Sequence, residues 1–167
     1  MDLRLEGKTA LVTGASYGLG YACARMLAGE GVSLLLNARN AEKLSEAAKK
    51  IKADFNVKVE TFPADLTDEN ALSRLATAAQ AHGPDILVLS TGHPPTYPFS
   101  VATDAQWQTG HDLILRPAIA LSRAALPGMQ DKGYGRLIFI GSIFGLEPES
   151  SSVIQSTYRT GLNALSK

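Results

Sequence analysis

Three glycines stand close together in Thr13-Gly14-Ala15-Ser16-Tyr17-Gly18-Leu19-Gly20, spaced T-G-x-x-x-G-x-G. Glycine at the first position lets a chain turn tightly off a strand. Glycine at the second lets backbone N–H groups approach a pyrophosphate, whose charge a following helix N-terminus stabilises. Glycine at the third allows close helix–strand packing. That chemistry requires a strand before the glycines and a helix after them. No Gly-Lys-Ser/Thr follows, so a phosphate loop of the nucleoside-triphosphatase kind is excluded.

The flanking segments meet the requirement. Thr9–Thr13, Ser33–Leu36, Val57–Phe62, Ile86–Leu89 and Arg136–Ile140 read as strands, and most are continuously apolar, as strands buried on both faces are. Amphipathic stretches alternate with them. Tyr17–Ala28 stops at Gly29 and Gly31, and Ala41–Ala53 opens after Asn40 as N-cap. Asp68–His82 follows Thr67 and closes at Gly83-Pro84. Ala105–Asp131 begins at Thr103-x-x-Gln106, which has capping-box spacing. Pro117 is expected to kink that helix and Pro127-Gly128 to loosen its end. A last helix is expected from about Ser152 to Lys167. Alternating strands and helices imply parallel pairing through right-handed crossovers, hence a doubly wound α/β sheet with helices on both faces. Gly92–Ser100 and Glu147–Ser152 read as loops, each beyond the carboxyl end of a strand, where such sheets bind ligands.

Composition narrows the class. The chain has 167 residues, 45% of them hydrophobic and 19% charged, in the ordinary globular range. Sixteen Lys+Arg balance sixteen Asp+Glu, which argues against a nucleic-acid or anionic-membrane partner. The single cysteine, Cys23, excludes an internal disulfide and a Cys-clustered metal site, and it fits a reducing, cytoplasmic setting. No apolar run approaches the roughly 20 residues of a membrane span. Met1-Asp2-Leu3-Arg4 lacks the pattern of a secretory leader.

The spaced motifs together resemble the short-chain dehydrogenase/reductase superfamily over essentially the whole chain. The resemblance makes T-G-x-x-x-G-x-G the cofactor loop, with Gly14, Ser16, Tyr17, Gly18, Leu19 and Gly20 about the dinucleotide. It makes Asp65-Leu66 the adenine contact and places Ser90 and Gly92 beside the nicotinamide. Leu126-Pro127-x-Met129, Gly135-Arg136-Leu137-Ile138 and Gly141-Ser142 match the approach to the fifth strand. Residues 1–167 are then a Rossmann-like dinucleotide-binding domain, the front part of a domain of about 250 residues. The second strand ends in Leu36-Asn37-Ala38-Arg39-Asn40, with no carboxylate to bind ribose hydroxyls. Arg39 can grip a 2′-phosphate bidentately, which favours NADP over NAD.

The expected active site departs from the family. Ser142 keeps the serine that orients and polarises a carbonyl. The Tyr and Lys of the usual Tyr-x-x-x-Lys fall on Gln155 and Arg159, and the helper Asn falls near Ile114. Gln155 has no proton to exchange, and Arg159 keeps its charge. Thr91-Gly92-His93-Pro94-Pro95 with Arg159 resembles an atypical, 3-oxoacyl-reductase-like branch. Arg159 is expected to meet the nicotinamide ribose, and Gln155 to orient a substrate oxygen. The missing proton carrier could be His93 in the loop after the fourth strand, Tyr158 three residues beyond Gln155, or a water. His111 and Asp112 read as helix surface, His82 as a dipole partner at a helix end, and Cys23 as inert core.

Two functions remain open on these grounds. One is an NAD(P)-dependent oxidoreductase acting on a small carbonyl or alcohol. The other is a catalytically lost NADP-binding sensor or partner subunit. The resemblance also implies a homodimer or homotetramer built on the two last helices, with Leu113, Leu121, Ala124, Val153, Leu162 and Leu165 as candidate contacts.

Overall fold

A computed structural model describes residues 3–167; Met1 and Asp2, the start of the segment without a leader pattern, lie outside it. The elements follow in the order β1 (Thr9–Val12), α1 (Gly18–Gly29), β2 (Ser33–Ala38), α2 (Ala41–Asp54), β3 (Val59–Pro63), α3 (Glu69–His82), β4 (Ile86–Leu89), α4 (Asp104–Asp131), β5 (Arg136–Phe139) and α5 (Val153–Leu165). Single turns of 3₁₀ helix occupy Phe99–Val101, Ile143–Gly145 and Ser150–Ser152. The strands form one parallel sheet in the order β3-β2-β1-β4-β5. The chain reverses direction across the sheet between β1 and β4, so the crevice for a ligand opens there.

Alternation along the central strands builds the layers. Ala10 and Val12 of β1, Leu34 and Leu36 of β2, and Ile86 and Val88 of β4 pack with Ala24 and Ala28 of α1 and Leu44 and Ile51 of α2. Leu11, Leu35, Leu87 and Leu89 face the other way, against Leu72 and Leu75 of α3 and Ile114, Ala118 and Leu121 of α4. Continuous apolar strands therefore mark β1, β2 and β4, which are covered on both sides. They do not mark β3 and β5. These stand at the two ends of the described sheet; β5 alternates between half-buried and exposed residues, with Ile138 exposed, and β3 exposes Glu60 and Thr61 in succession.

Local chemistry sets most boundaries. The Asn40 side chain accepts from Lys43 N–H at 2.8 Å, and Thr103 and Gln106 form the full capping box. Asp68, not Thr67, caps α3, accepting from Ala71 N–H at 2.8 Å. The α4 helix runs unbroken through Pro117 and Pro127, with Pro117 buried. The oligomer contacts need correction. Leu121 and Leu162 are fully inside the core of a single chain, so they cannot line a subunit contact; Leu165 is exposed.

At the opposite end from the crevice, Asp85 joins three elements. Its carboxylate accepts from Thr9 N–H at 2.9 Å and from Lys132 Nζ at 3.0 Å. Burial would raise its pKa, but these donors outweigh it and hold the group below its ordinary value. No helix among the described residues is long and apolar enough to cross a membrane, and no group of His, Cys, Asp and Glu there could hold a metal ion.

Candidate functional site

A cleft of about 580 Å³ lies along the carboxyl ends of the strands. One wall is the β1–α1 turn, from Gly14 to Leu19. Gly14 has φ +60°, and a Cβ there would stand 2.5 Å from the Ser90 carbonyl oxygen. Only glycine lets this turn approach the β4 end so closely. Gly18 also has positive φ, +61°, but a Cβ there would meet nothing within 4 Å. The space beside it is open, and α1 begins at this residue. No side chain caps α1 and no acidic residue occupies its first turn. Its N–H groups and its positive dipole end are thus available to an anion. Gly20 is different. It is buried, does not line the cleft, and would put a Cβ 2.7 Å from the Thr13 carbonyl oxygen. Its place is in helix–strand packing rather than in direct contact with a ligand.

The far end of the cleft is lined by Arg39, Asn40 and Lys43 on one side and Asp65 and Leu66 on the other. Arg39 and Lys43 are exposed, and neither side chain has an ion-pair partner among the described residues. Asp65 Oδ1 accepts from both Thr67 N–H, 2.9 Å, and Thr67 Oγ1, 2.8 Å, which fixes the turn after β3. Asn37, buried at the end of β2, donates from Nδ2 to the carbonyls of Phe62 and Ala64 at 3.0 and 3.2 Å and so ties that turn to the sheet. Sequence reasoning missed Lys43 and Asn37. Lys43 follows Arg39 by four residues across the Asn40 cap. Asn37 is a polar residue ending an otherwise apolar strand, where a buried polar group must be satisfied.

The near end holds Ser90, Thr91, Gly92, His93, Ser142, Gln155 and Arg159. Thr13, fully buried, exchanges hydrogen bonds with the Ser90 backbone, with Oγ1 at 3.0 Å from both its N–H and its carbonyl. Ser142 follows β5, and its Oγ accepts from Phe144 N–H at 3.3 Å, leaving its own hydroxyl proton to donate. The α5 helix steadies this side. Asn163 Nδ2 and Thr160 Oγ1 donate to the Gly145 carbonyl at 3.0 and 3.3 Å.

Gln155 and Arg159 stand one helical turn apart on α5 and are both buried, at 6% and 5% exposure. Gln155 Nε2 donates to the Pro94 carbonyl at 3.0 Å. Arg159 donates from Nη1 to the Ile140 carbonyl, 2.9 Å, and from Nη2 to the Gly92 carbonyl, 3.0 Å. Its Nε has no partner, and no carboxylate pairs with it among the described residues. Burial alone draws its pKa below the ordinary arginine value. Both side chains therefore line the cleft while their donors hold main-chain carbonyls.

Tyr158 is turned away from the cleft. Its ring packs edge-on against Trp107, with centroids 5.7 Å apart, and against His111 at 6.1 Å. Burial, then the Asp112 charge, raises its pKa. A helix advances about 100° per residue, so Tyr158 points to α4 when Gln155 and Arg159 point to the cleft. It is not placed to exchange a proton there. Asp112 is not plain helix surface either. Gln108 Nε2 donates to its Oδ1 at 2.8 Å, and His111 and Arg116 reach the same oxygen at 3.1 and 3.3 Å.

The fold is shared with known proteins. An uncharacterised oxidoreductase of Staphylococcus aureus (strain USA300) is 32% identical over 165 residues, covering 98% of this chain and 70% of the relative. L-sorbose reductase from Gluconobacter frateurii, solved in complex with NADPH and L-sorbose, superposes with a TM-score of 0.93 at 31% identity, over 99% of this chain. A 3-oxoacyl (acyl-carrier-protein) reductase from Agrobacterium tumefaciens C58, solved with NADP bound, gives a TM-score of 0.90 at 29% identity over 96% of this chain. The chain spans 64% of the sorbose reductase and 62% of the Agrobacterium protein. The profile described as short chain dehydrogenase matches residues 8–167. With the glycine turn, the five parallel strands and the cleft at their carboxyl ends, that match establishes that the chain belongs to the short-chain dehydrogenase family.

Proposed function

We propose that the chain forms the cofactor-binding part of an NADP(H)-dependent oxidoreductase acting on a small carbonyl or alcohol. The observation that carries this reading is a cleft that joins an uncapped helix N-terminus, two cations without an ion-pair partner among the described residues, and a serine hydroxyl. The residues fit the dinucleotide. The space beside Gly18 is what a phosphate needs, and a Cβ would begin to fill it. The N–H groups from Ser16 to Leu19 would hold the pyrophosphate. Arg39 and Lys43 would hold a 2′-phosphate, and Asp65 and Leu66 would flank the adenine. Ser90 and Gly92 would border the nicotinamide end. The structures solved with NADPH and NADP among similar proteins support the choice of NADP.

When bound, the cofactor supplies or accepts hydride. The chain's own residues then have three tasks. Ser142 donates its hydroxyl proton in a hydrogen bond to the substrate oxygen and polarises the carbonyl. Arg159 adds a fixed positive charge beneath the same end of the cleft, which stabilises negative charge developing on that oxygen. A third group must hold and deliver the proton, because neither Gln155 nor Arg159 can.

Calorimetric titration of the full-length protein with NADPH and NADH, followed by turnover with ketones, aldehydes and 3-oxoacyl esters, tests the reading. NADPH is expected to bind more tightly, and at least one carbonyl class to be reduced. Ser142→Ala is expected to lower turnover by on the order of 10²-fold with cofactor affinity unchanged. Failure to bind either dinucleotide overturns the proposal. Tight binding with no turnover in the whole panel supports the sensor function instead.

A further inference from the structure

We infer that Gln155 and Arg159 are positioning residues which clamp the backbone on both sides of His93, and that His93, presented to the cleft by this clamp, is the group that exchanges the proton with the substrate oxygen. The inference rests on the oxidoreductase reading above and adds the residue that reading leaves open.

The geometry is local and specific. Arg159 Nη2 holds the carbonyl of Gly92, the residue before His93, at 3.0 Å. Gln155 Nε2 holds the carbonyl of Pro94, the residue after it, at 3.0 Å. Both donors are buried, so water competes poorly for these carbonyls. Further along, Val153 N–H donates to the Tyr97 carbonyl at 3.2 Å. The first turns of α5 thus grip the loop after β4 at Gly92, Pro94 and Tyr97. Its base is held separately by Thr13 at Ser90.

Sequence chemistry stiffens the same point. His93 precedes Pro94, which keeps it out of the helical region, and Pro94 and Pro95 have their own φ fixed. Pro94 is buried, while His93 is exposed and lines the cleft with Ser142. A loop histidine would ordinarily sample many positions. Here its backbone is held before and after, and only the imidazole is free to turn.

The proton balance closes. In reduction, a bound dinucleotide would supply the hydride for the new C–H bond at the carbonyl carbon, and the C=O π pair would move to oxygen. The imidazolium N–H bond of His93 breaks and its proton forms the new O–H bond. The products are the alcohol, the oxidised nicotinamide and neutral imidazole, which regains a proton from solvent because the side chain is exposed.

Four variants of the full-length protein test this: His93→Gln, Gln155→Met, Arg159→Met and Arg159→Lys. For His93→Gln, kcat is expected to fall by on the order of 10²-fold or more, with KM and NADPH affinity little changed and partial rescue by added imidazole. Hydrogen exchange of the segment 90–100 should stay as in the parent. For Gln155→Met, exchange in that segment should become roughly tenfold faster without cofactor present, and kcat should fall with NADPH affinity kept. Arg159→Met should show the same pattern more strongly, and Arg159→Lys should recover part of the lost protection. A His93→Gln variant with parental kcat overturns the proton role. Parental exchange in both Gln155→Met and Arg159→Met overturns the clamp. A parent that binds NADPH but reduces nothing overturns the oxidoreductase reading and the role of His93 with it, while exchange still decides the clamp.

Discussion

Arg159 Nη2 lies 3.0 Å from the carbonyl oxygen of Gly92, across 67 residues of sequence. The bond joins the last helix to the loop leaving β4, and its partner bond from Nη1 joins the same guanidinium to Ile140 at the end of β5. One buried cation therefore ties together the ends of β4 and β5 and the helix that follows them. A lysine could not make both bonds in this planar geometry. A side chain that lines the cleft is here also a structural tie.

Cofactor choice should depend on the two cations at the far end of the cleft. Arg39→Ala is expected to weaken NADPH binding roughly tenfold, the factor for a charge-assisted contact to phosphate worth about 1.4 kcal/mol, and to leave NADH nearly unchanged. Lys43→Ala should act in the same direction and less strongly, because both side chains are exposed and screened. Calorimetric titration with each dinucleotide measures the difference. Equal losses for both cofactors would place these cations away from the 2′-phosphate.

The glycines of the β1–α1 turn should separate by cause. Gly14→Ala forces a Cβ against the Ser90 carbonyl in a left-handed conformation. It is expected to destabilise the fold by about 2–4 kcal/mol. Gly18→Ala carries backbone strain of about 1 kcal/mol and no clash. Its larger effect should be on dinucleotide binding, since the methyl enters the open space beside the helix N-terminus. Chemical denaturation and cofactor titration on both variants distinguish the two outcomes.

Tyr158→Phe should be silent in turnover, because the ring faces Trp107 and not the cleft. Tyr158→Ala should cost about 3 kcal/mol or more in stability by removing a packed aromatic ring. Thermal unfolding and steady-state kinetics on the pair would show it. A large loss of kcat in the phenylalanine variant would return Tyr158 to the active site.

Acid should destabilise the fold in two stages. Burial holds the His82 pKa below the ordinary 6.5. As pH falls below that value, the unfolded chain takes up a proton that the folded chain refuses, so stability drops by at most about 1.4 kcal/mol per pH unit until the folded pKa is reached. Asp85 adds a second loss at lower pH. Its folded pKa lies below the ordinary 3.8, so its contribution is present above that pH and disappears as pH falls through the folded value. Denaturation midpoints from pH 8 to pH 3 should show both stages. His82→Leu should flatten the first, and Asp85→Asn should remove the second while lowering stability at neutral pH.

The fold was legible in the sequence because its signals are local. Unbroken apolar runs marked the central strands β1, β2 and β4, and side-chain caps at Asn40 and Thr103 marked two helix starts. The glycine turn was legible for the same reason: its spacing and its flanking elements lie within twenty residues of chain. The solvent exposure along β3 and β5 was not, because it depends on which elements pack beside each strand. Nor was the burial of Leu121 and Leu162, which α-helix periodicity alone cannot assign to a core or to a subunit contact. The sequence placed Gln155 and Arg159 on one helix face by their spacing of four. Only the tertiary structure decided what that face meets. The carbonyls of Gly92, Pro94 and Ile140 are main-chain groups with no signature in residue type, and they reach α5 through the packing of that helix along the sheet end. A hydrogen bond between a side chain and a distant backbone is set by the path of the whole chain, which is why spacing could name the donors and not their partners.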